Sequence, residues 1–230
     1  MSIHPFFRWL YKPNPKVTKK GKNSSRIGRQ NETHTAERLK TLTWNGNPFH
    51  VGTPAGTQKG TDIPTNVAGM NVGWEDKTSG AFEGGCVKLN VVDGKLTVTR
   101  DGVIKDLLKG YVPFKGRIPT FLTQRVTYWD NSGFEDEYVY VPRTSISIYY
   151  SKQGVHYMHI GGKGIYHTGN DILTLGVPFF EPETQIRIRT SKHKKKGVPT
   201  DVTAALHFKK PDPSPYNLFT NLPPSMKVVE

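Results

Sequence analysis

The residues with the most chemical potential in this chain are cations set among aromatic rings. Phe6, Phe7, Trp9 and Tyr11 surround Arg8, and Lys12, Lys16, Lys19, Lys20, Lys22, Arg26 and Arg29 follow with no acid between them. Rings in such a stretch can stack on unpaired bases while the cations neutralise phosphates. The same composition suits an anionic membrane, with rings in the interface and cations at the headgroups. Ile3–Tyr11 is short, contains Pro5 and shows no long amphipathic pattern, which favours nucleic acid. A second cluster, Lys192, Lys194, Lys195 and Lys196 around His193, joins two expected strands and forms a basic edge with Arg187 and Arg189. It reads as a solvated hairpin tip, a polyanion contact or an import signal.

Catalytic and metal-binding patterns do not emerge. The three Gly-Lys pairs are followed by Asn23, Leu96 and Gly164 rather than Ser or Thr, so none forms a phosphate-binding loop. Gly161-Gly162-Lys163-Gly164 lies between expected strands and reads as a tight turn. His156, His159 and His167 are near in sequence, but the odd spacing of the first two puts them on opposite faces of a strand, against a shared metal. Glu135-Asp136-Glu137 lacks further converging carboxylates and reads as a solvated loop or an ion-pair partner for a neighbouring basic subunit. A non-enzymatic protein with no cofactor and no metal is expected.

The elements that must position the basic stretch follow from composition and periodicity. The chain has 230 residues and a net charge of +13. Residues 1–40 hold ten Lys/Arg against two acids, a net +8, so the excess is concentrated on an N-terminal arm. Pro13, Pro15 and the lack of hydrophobic periodicity make residues 12–40 read as a flexible arm, with a short helix possible at 36–42. The single Cys86 allows no intrachain disulfide, which fits a reducing compartment or no dependence on oxidation. No apolar run is long enough for a membrane helix, and no signal-peptide pattern follows the apolar start.

Residues 45–85 show little pattern and are expected as a draped loop or undetected short strands. From residue 86 the period is two. Val87, Leu89 and Val91 alternate with polar residues, Asp93-Gly94 makes a hairpin turn, and Leu96 and Val98 continue the alternation. Residues 103–109 read as a short helix. Further strands are expected at 121–129, 137–141, 145–150, 154–160, 172–177, 184–190 and 201–208, with Ile186 and Ile188 on one face and Val202, Ala204, Leu206 and Phe208 on another. Short strands separated by Gly/Pro turns predict an all-β fold, a sandwich or a barrel, and the antiparallel β-sandwich is the reading adopted. Five prolines after 210 predict an extended C-terminal tail over 211–230 that leaves the domain. The organisation is thus a basic arm at 1–40, a β domain at 41–210 and a tail.

That layout, and the stretch DVTAALHFKKPDPSP at 201–215, resembles small single-jelly-roll viral capsid proteins, and within them the circovirus type. The resemblance implies two packed antiparallel sheets and an arm pointing inward onto packaged DNA or RNA. It also implies many copies of the chain closing into a shell, with residence in the virion and, during assembly, the host cytoplasm or nucleus. Three alternatives stay open: a viral matrix protein bridging membrane and nucleocapsid, a movement-type or ribosome-associated nucleic-acid binder that forms no shell, and an enzyme whose site is invisible in sequence. Removal of residues 1–40 is expected to abolish most nucleic-acid binding and leave the β domain folded.

Overall fold

The computed structural model describes residues 17–54, 60–78, 83–118, 136–191 and 201–229. They are mostly β-strands in antiparallel sheets with few helices. The strand expected at 121–129 lies outside the described residues. The chain divides into two compact units. One draws on Ser24–Gly85, Tyr140–Gln185 and Leu206–Glu230, and the other holds the described residues within Met1–Asn23, Cys86–Val139 and Ile186–Ala205.

The first unit begins within a helix, α1 (Val17–Lys40), which it holds from Ser24 onward, where the sequence predicts a flexible arm. The physical reason lies at its C-terminal end. Ala36 and Leu39, three apart, are buried in the core, and Thr35 beside them is buried too. Two apolar residues on one face are too few for a legible period, yet docking them fixes the turns that precede them. Strands β1 (Leu42–Trp44) and β2 (Asn47–Pro48) follow, joined by Asn45-Gly46 with φ of 47° and 80°, the turn that Asn-Gly favours.

β3 (His50–Val51), β4 (Ile63–Val67) and β5 (Met70–Lys77) occupy the stretch expected to be patternless. β4 alternates in burial, with Ile63, Thr65 and Val67 inward, and turns into β5 through Ala68-Gly69. β9 (Val155–Ile160) and β10 (Gly164–His167) complete a sheet of order β10-β9-β5-β4-β3. Its pairs run antiparallel except β5 and β9, which run parallel from Gly73↔Val155 to Lys77↔Ile160. Expected pairing was antiparallel throughout, so this parallel pair is a correction. β5 and β9 are the central strands and are buried along most of their length, which erased the alternation that would have announced β5. Trp74, Tyr157, Leu39, Leu42, Ile63 and Leu173 are fully buried in the core that this sheet shares with α1.

Two expected strands in this unit are not strands. Residues 145–150 form the helix α3 (Ser145–Ser151), numbered after α2 of the other unit. A four-residue Ser/Ile alternation is too short to choose a period. As a helix it buries Ile146 and Tyr150 four apart, and the Ser147 hydroxyl donates to the Phe180 carbonyl. Residues 172–177 do bury Leu173, Leu175 and Val177 alternately, but the backbone curls around Asp171. That carboxylate accepts from Leu175 N at 3.0 Å, Gly176 N at 2.8 Å and the Tyr157 hydroxyl at 2.5 Å.

The C-terminal tail does not leave the domain. β13 (Met226–Val228) pairs antiparallel with β1, giving a three-stranded sheet of order β13-β1-β2, and Leu218 and Met226 are in the core. Proline spacing predicted extension, but the apolar residues between the prolines decide where the segment lies.

The second unit carries most of a sheet of order β7-β6-β12-β11-β8, from β6 (Glu83–Val92), β7 (Lys95–Val98), β8 (Asp136–Tyr140), β11 (Thr184–Ser191) and β12 (Asp201–Phe208). The β6–β7 hairpin turns at Asp93-Gly94, both with positive φ, as read from the sequence. Ile186, Ile188, Val202 and Ala204 are fully buried, as the alternation required. α2 (Val103–Leu107) matches the short helix expected there.

Gly73 marks the closest backbone approach in the parallel pair: a Cβ there would overlap the Gly154 carbonyl oxygen and Thr61. Gly73→Ala should therefore cost about 1–3 kcal/mol, the usual range for overpacking. A chemical denaturation curve indistinguishable from that of the native sequence would contradict this packing.

Candidate functional site

The basic residues singled out from sequence are only partly placed. Arg8, Lys12, Lys16, Phe6, Phe7, Trp9, Tyr11, Lys192, Lys194, Lys195 and Lys196 lie outside the described residues. Lys19, Lys20 and Lys22 fall on α1, and Arg26 and Arg29 further along it are exposed. The helix thus has two halves of different character. Between Val17 and Arg29 it carries five cations and no acid; between Gln30 and Lys40 it carries Glu32 and Glu37 and the residues that dock. Arg38 fixes the docked end by donating from Nε to the Leu218 carbonyl at 2.7 Å. Thr35 fixes it again through a hydroxyl hydrogen bond of 2.9 Å to Asp76.

The basic edge of β11 is committed within the chain. Arg189 makes a two-pronged ion pair with Asp136, Nε to Oδ1 at 2.7 Å and Nη2 to Oδ2 at 2.5 Å. That guanidinium holds the Asp136 carboxyl below its ordinary range, chiefly by hydrogen bonding. Its neighbour Glu137 accepts from the Tyr111 hydroxyl at 2.8 Å and from Phe114 N at 2.6 Å. Asp136 and Glu137 thus lie on strand β8 and bond to residues of this chain, while Glu135 lies outside the described residues.

The end of β5 carries a buried charge network that sequence reasoning missed. Glu75, Asp76 and Lys77 are consecutive and all largely buried, which no alternation rule anticipates. Lys77 Nζ sits 2.5 Å from Glu75, and Asp62 accepts from Asp76 N at 3.1 Å. Burial pushes the Glu75 carboxyl up to about 7, with the nearby Asp62 charge adding and Lys77 opposing. Burial also raises Asp62, and it raises Glu32 on α1 with help from the Asp62 and Asp76 charges. For Lys77 burial works the other way, but the oxygens of Tyr150, Glu75 and Asp62 outweigh it and hold the ammonium above its ordinary value.

On the other side of Asp76 stands His159, whose Nδ1 is 2.7 Å from the same oxygen that takes the Thr35 hydroxyl. His156 is engaged elsewhere, its Nδ1 accepting from Gly73 N at 3.0 Å, and His167 Nδ1 lies 2.6 Å from the Gly169 carbonyl. The three histidines are not gathered at one point. His159 lines a cavity of about 500 Å³, bordered by Asn31, His34 and Thr35 of α1, by the turn at 161–164 and by the Asn217–Asn221 turn. The glycine-rich run is a turn between β9 and β10, as its sequence suggested. No group of three or more potential metal ligands is found among the described residues. No described helix is long and apolar enough to cross a membrane.

Comparisons of the chain with protein-family models, with curated proteins and with solved structures return no match.

The raised Glu75 carboxyl has a measurable consequence. The unfolded chain releases this proton near 4.5 and the folded protein near 7. Between those values the folded state binds more protons, so the contribution is fully present below the lower value and is lost as pH rises through the upper one. Thermal midpoints measured across that window should fall with rising pH in the native sequence and fall less in Glu75→Gln. Parallel curves would remove Glu75 as the titrating group.

Proposed function

We propose that this chain is a structural, shell-forming coat protein of a virus that binds the packaged nucleic acid through the basic half of α1 and the cations preceding it, without catalytic activity. One observation carries the reading: five cations and no acid between Val17 and Arg29, on a helix whose other end is seated in a folded core by Ala36 and Leu39. The basic half spans about 18 Å at 1.5 Å per residue. Duplex nucleic acid offers a charge every ~1.7 Å along its axis, a density that a run of cations of this length can neutralise in part. Binding of this kind is driven by counterion release and weakens steeply with salt.

The shell-forming part of the proposal leans on the resemblance in layout to small viral coat proteins and on the many short strands. A jelly roll is an antiparallel architecture. The parallel β5–β9 pair departs from it, so charge supports this reading more than strand order does. The rings at Phe6, Phe7, Trp9 and Tyr11 favour a second reading, a matrix protein whose arm lies on an anionic bilayer.

The docked half of α1 also changes how the arm must be tested. Removing residues 1–40 would take Ala36 and Leu39 out of the core and unfold the protein, contrary to the sequence expectation. Replacing Lys19, Lys20, Lys22, Arg26 and Arg29 with Gln keeps the core intact. On single-stranded DNA the slope of log affinity against log salt should flatten by up to about 3.5, at ~0.7 per phosphate contact. An unchanged slope would place the nucleic-acid contact elsewhere. Negative-stain images and the absorbance ratio of the purified protein, before and after a high-salt wash, test the shell. Closed particles that carry nucleic acid are expected. A small monodisperse species that binds anionic vesicles would replace this reading with the matrix one.

A further inference from the structure

The cavity beside α1 holds a polar atom without a purpose in the fold. His159 is 5 % exposed, and its Nε2 is buried with no hydrogen-bond partner. Its other nitrogen faces Asp76 Oδ1, which already accepts from Thr35, so the carboxylate assigns the proton to Nδ1. In the neutral ring Nε2 is then an acceptor awaiting a donor. Buried polar atoms are nearly always paired, and one left unpaired in a residue that lines a cavity points to a missing partner.

The rest of the wall specifies what that partner is. Phe219 stacks on His34 with centroids 4.6 Å apart and also meets the His159 ring at 5.5 Å. It is 37 % exposed, so an aromatic face stands at the rim. Asn31 borders the same cavity with an amide that makes no hydrogen bond among the described residues, offering a donor and an acceptor together. A volume of about 500 Å³ lies within the range of small-molecule sites. A flat ring that stacks on Phe219, presents an N–H to His159 and pairs with an amide is a nucleobase bearing an exocyclic amino group.

We propose that this cavity binds a single unstacked base of that kind: the Phe219 ring turns away from His159 and uncovers Nε2 for the base's amino group, and the base stacks on the displaced ring. The site sits on the same helix as the cations: Asn31 follows Arg29 by two residues and His34 follows it by five, about 3 and 7.5 Å along the axis. The biological ligand rests on the nucleic-acid reading above, but the chemistry of the site does not.

Adenosine, which has no phosphate, separates the two. Calorimetric titration of the full chain with adenosine should give saturable binding, and the ¹⁵N resonance of His159 Nε2 should move as it accepts a hydrogen bond. Phe219→Leu, which keeps an apolar side chain, and Asn31→Ala should each weaken binding; the first by at least about tenfold, given the strength of base–aromatic stacking. N6,N6-dimethyladenosine, which lacks the donor, should bind at least about tenfold more weakly, in line with a lost buried hydrogen bond. Absence of adenosine binding at millimolar concentration, or equal binding by both variants or by the dimethyl analogue, overturns this site. Either result can coexist with salt-dependent oligonucleotide binding through α1. Conversely, adenosine binding in a protein whose oligonucleotide affinity ignores the five α1 cations would uphold the cavity and place the oligonucleotide contact elsewhere than on α1.

Discussion

The seating of the C-terminal half of α1 in the core is the constraint on which the rest depends. Leu39 is wholly buried and Ala36 nearly so, in the cluster that also holds Leu42, Trp74, Tyr157 and Leu218. Burying a leucine side chain is worth roughly 1.5–3 kcal/mol. A helix so rich in lysine, glycine and asparagine would not persist alone at this length, since nucleation is costly. The core pays for it once, and the turns nearer the N-terminus inherit the geometry. The same seating brings Thr35 to Asp76 and places Asn31 and His34 on the cavity wall.

The buried charges of β5 are the counterpart of that seating. Taking Glu75, Asp76 and Lys77 out of water is expensive unless each finds a partner. Each does: Lys77 on Glu75, Asp76 between Thr35 and His159, and Asp62 on the Asp76 amide. Such networks add little net stability compared with apolar packing, but breaking one member leaves a stranded charge. β5 is thus tied to α1 by direction-specific bonds as well as by apolar contact.

What the sequence made legible were features with a local cause. The Asp93-Gly94 hairpin, the alternation in β11 and β12 and the glycine turn at 161–164 each follow from a few neighbouring residues. What it concealed came from distant partners. β5 is buried on both faces, so no period marked it, and the Asn45-Gly46 turn beside β1 was an available signal that the polar surroundings obscured. Residues 172–177 had the right alternation and the wrong backbone, because Asp171 offers three donors a closer acceptor than a neighbouring strand would. The C-terminal segment was misread because its prolines are counted easily while the burial of Leu218 and Met226 depends on a core assembled elsewhere. The cations of α1 were visible in the sequence, whereas His159 became a candidate only when Asp76, Thr35 and Phe219 were brought to it from three other parts of the chain.

Hydrogen exchange on the full chain, with and without a single-stranded oligonucleotide at low salt, tests the central claim most directly. Amides of residues 17–29 should slow markedly when the oligonucleotide binds, while those of 35–40, already held by the core, should change little. Binding that leaves 17–29 unchanged and protects another surface instead would contradict the assignment of α1 as the nucleic-acid contact.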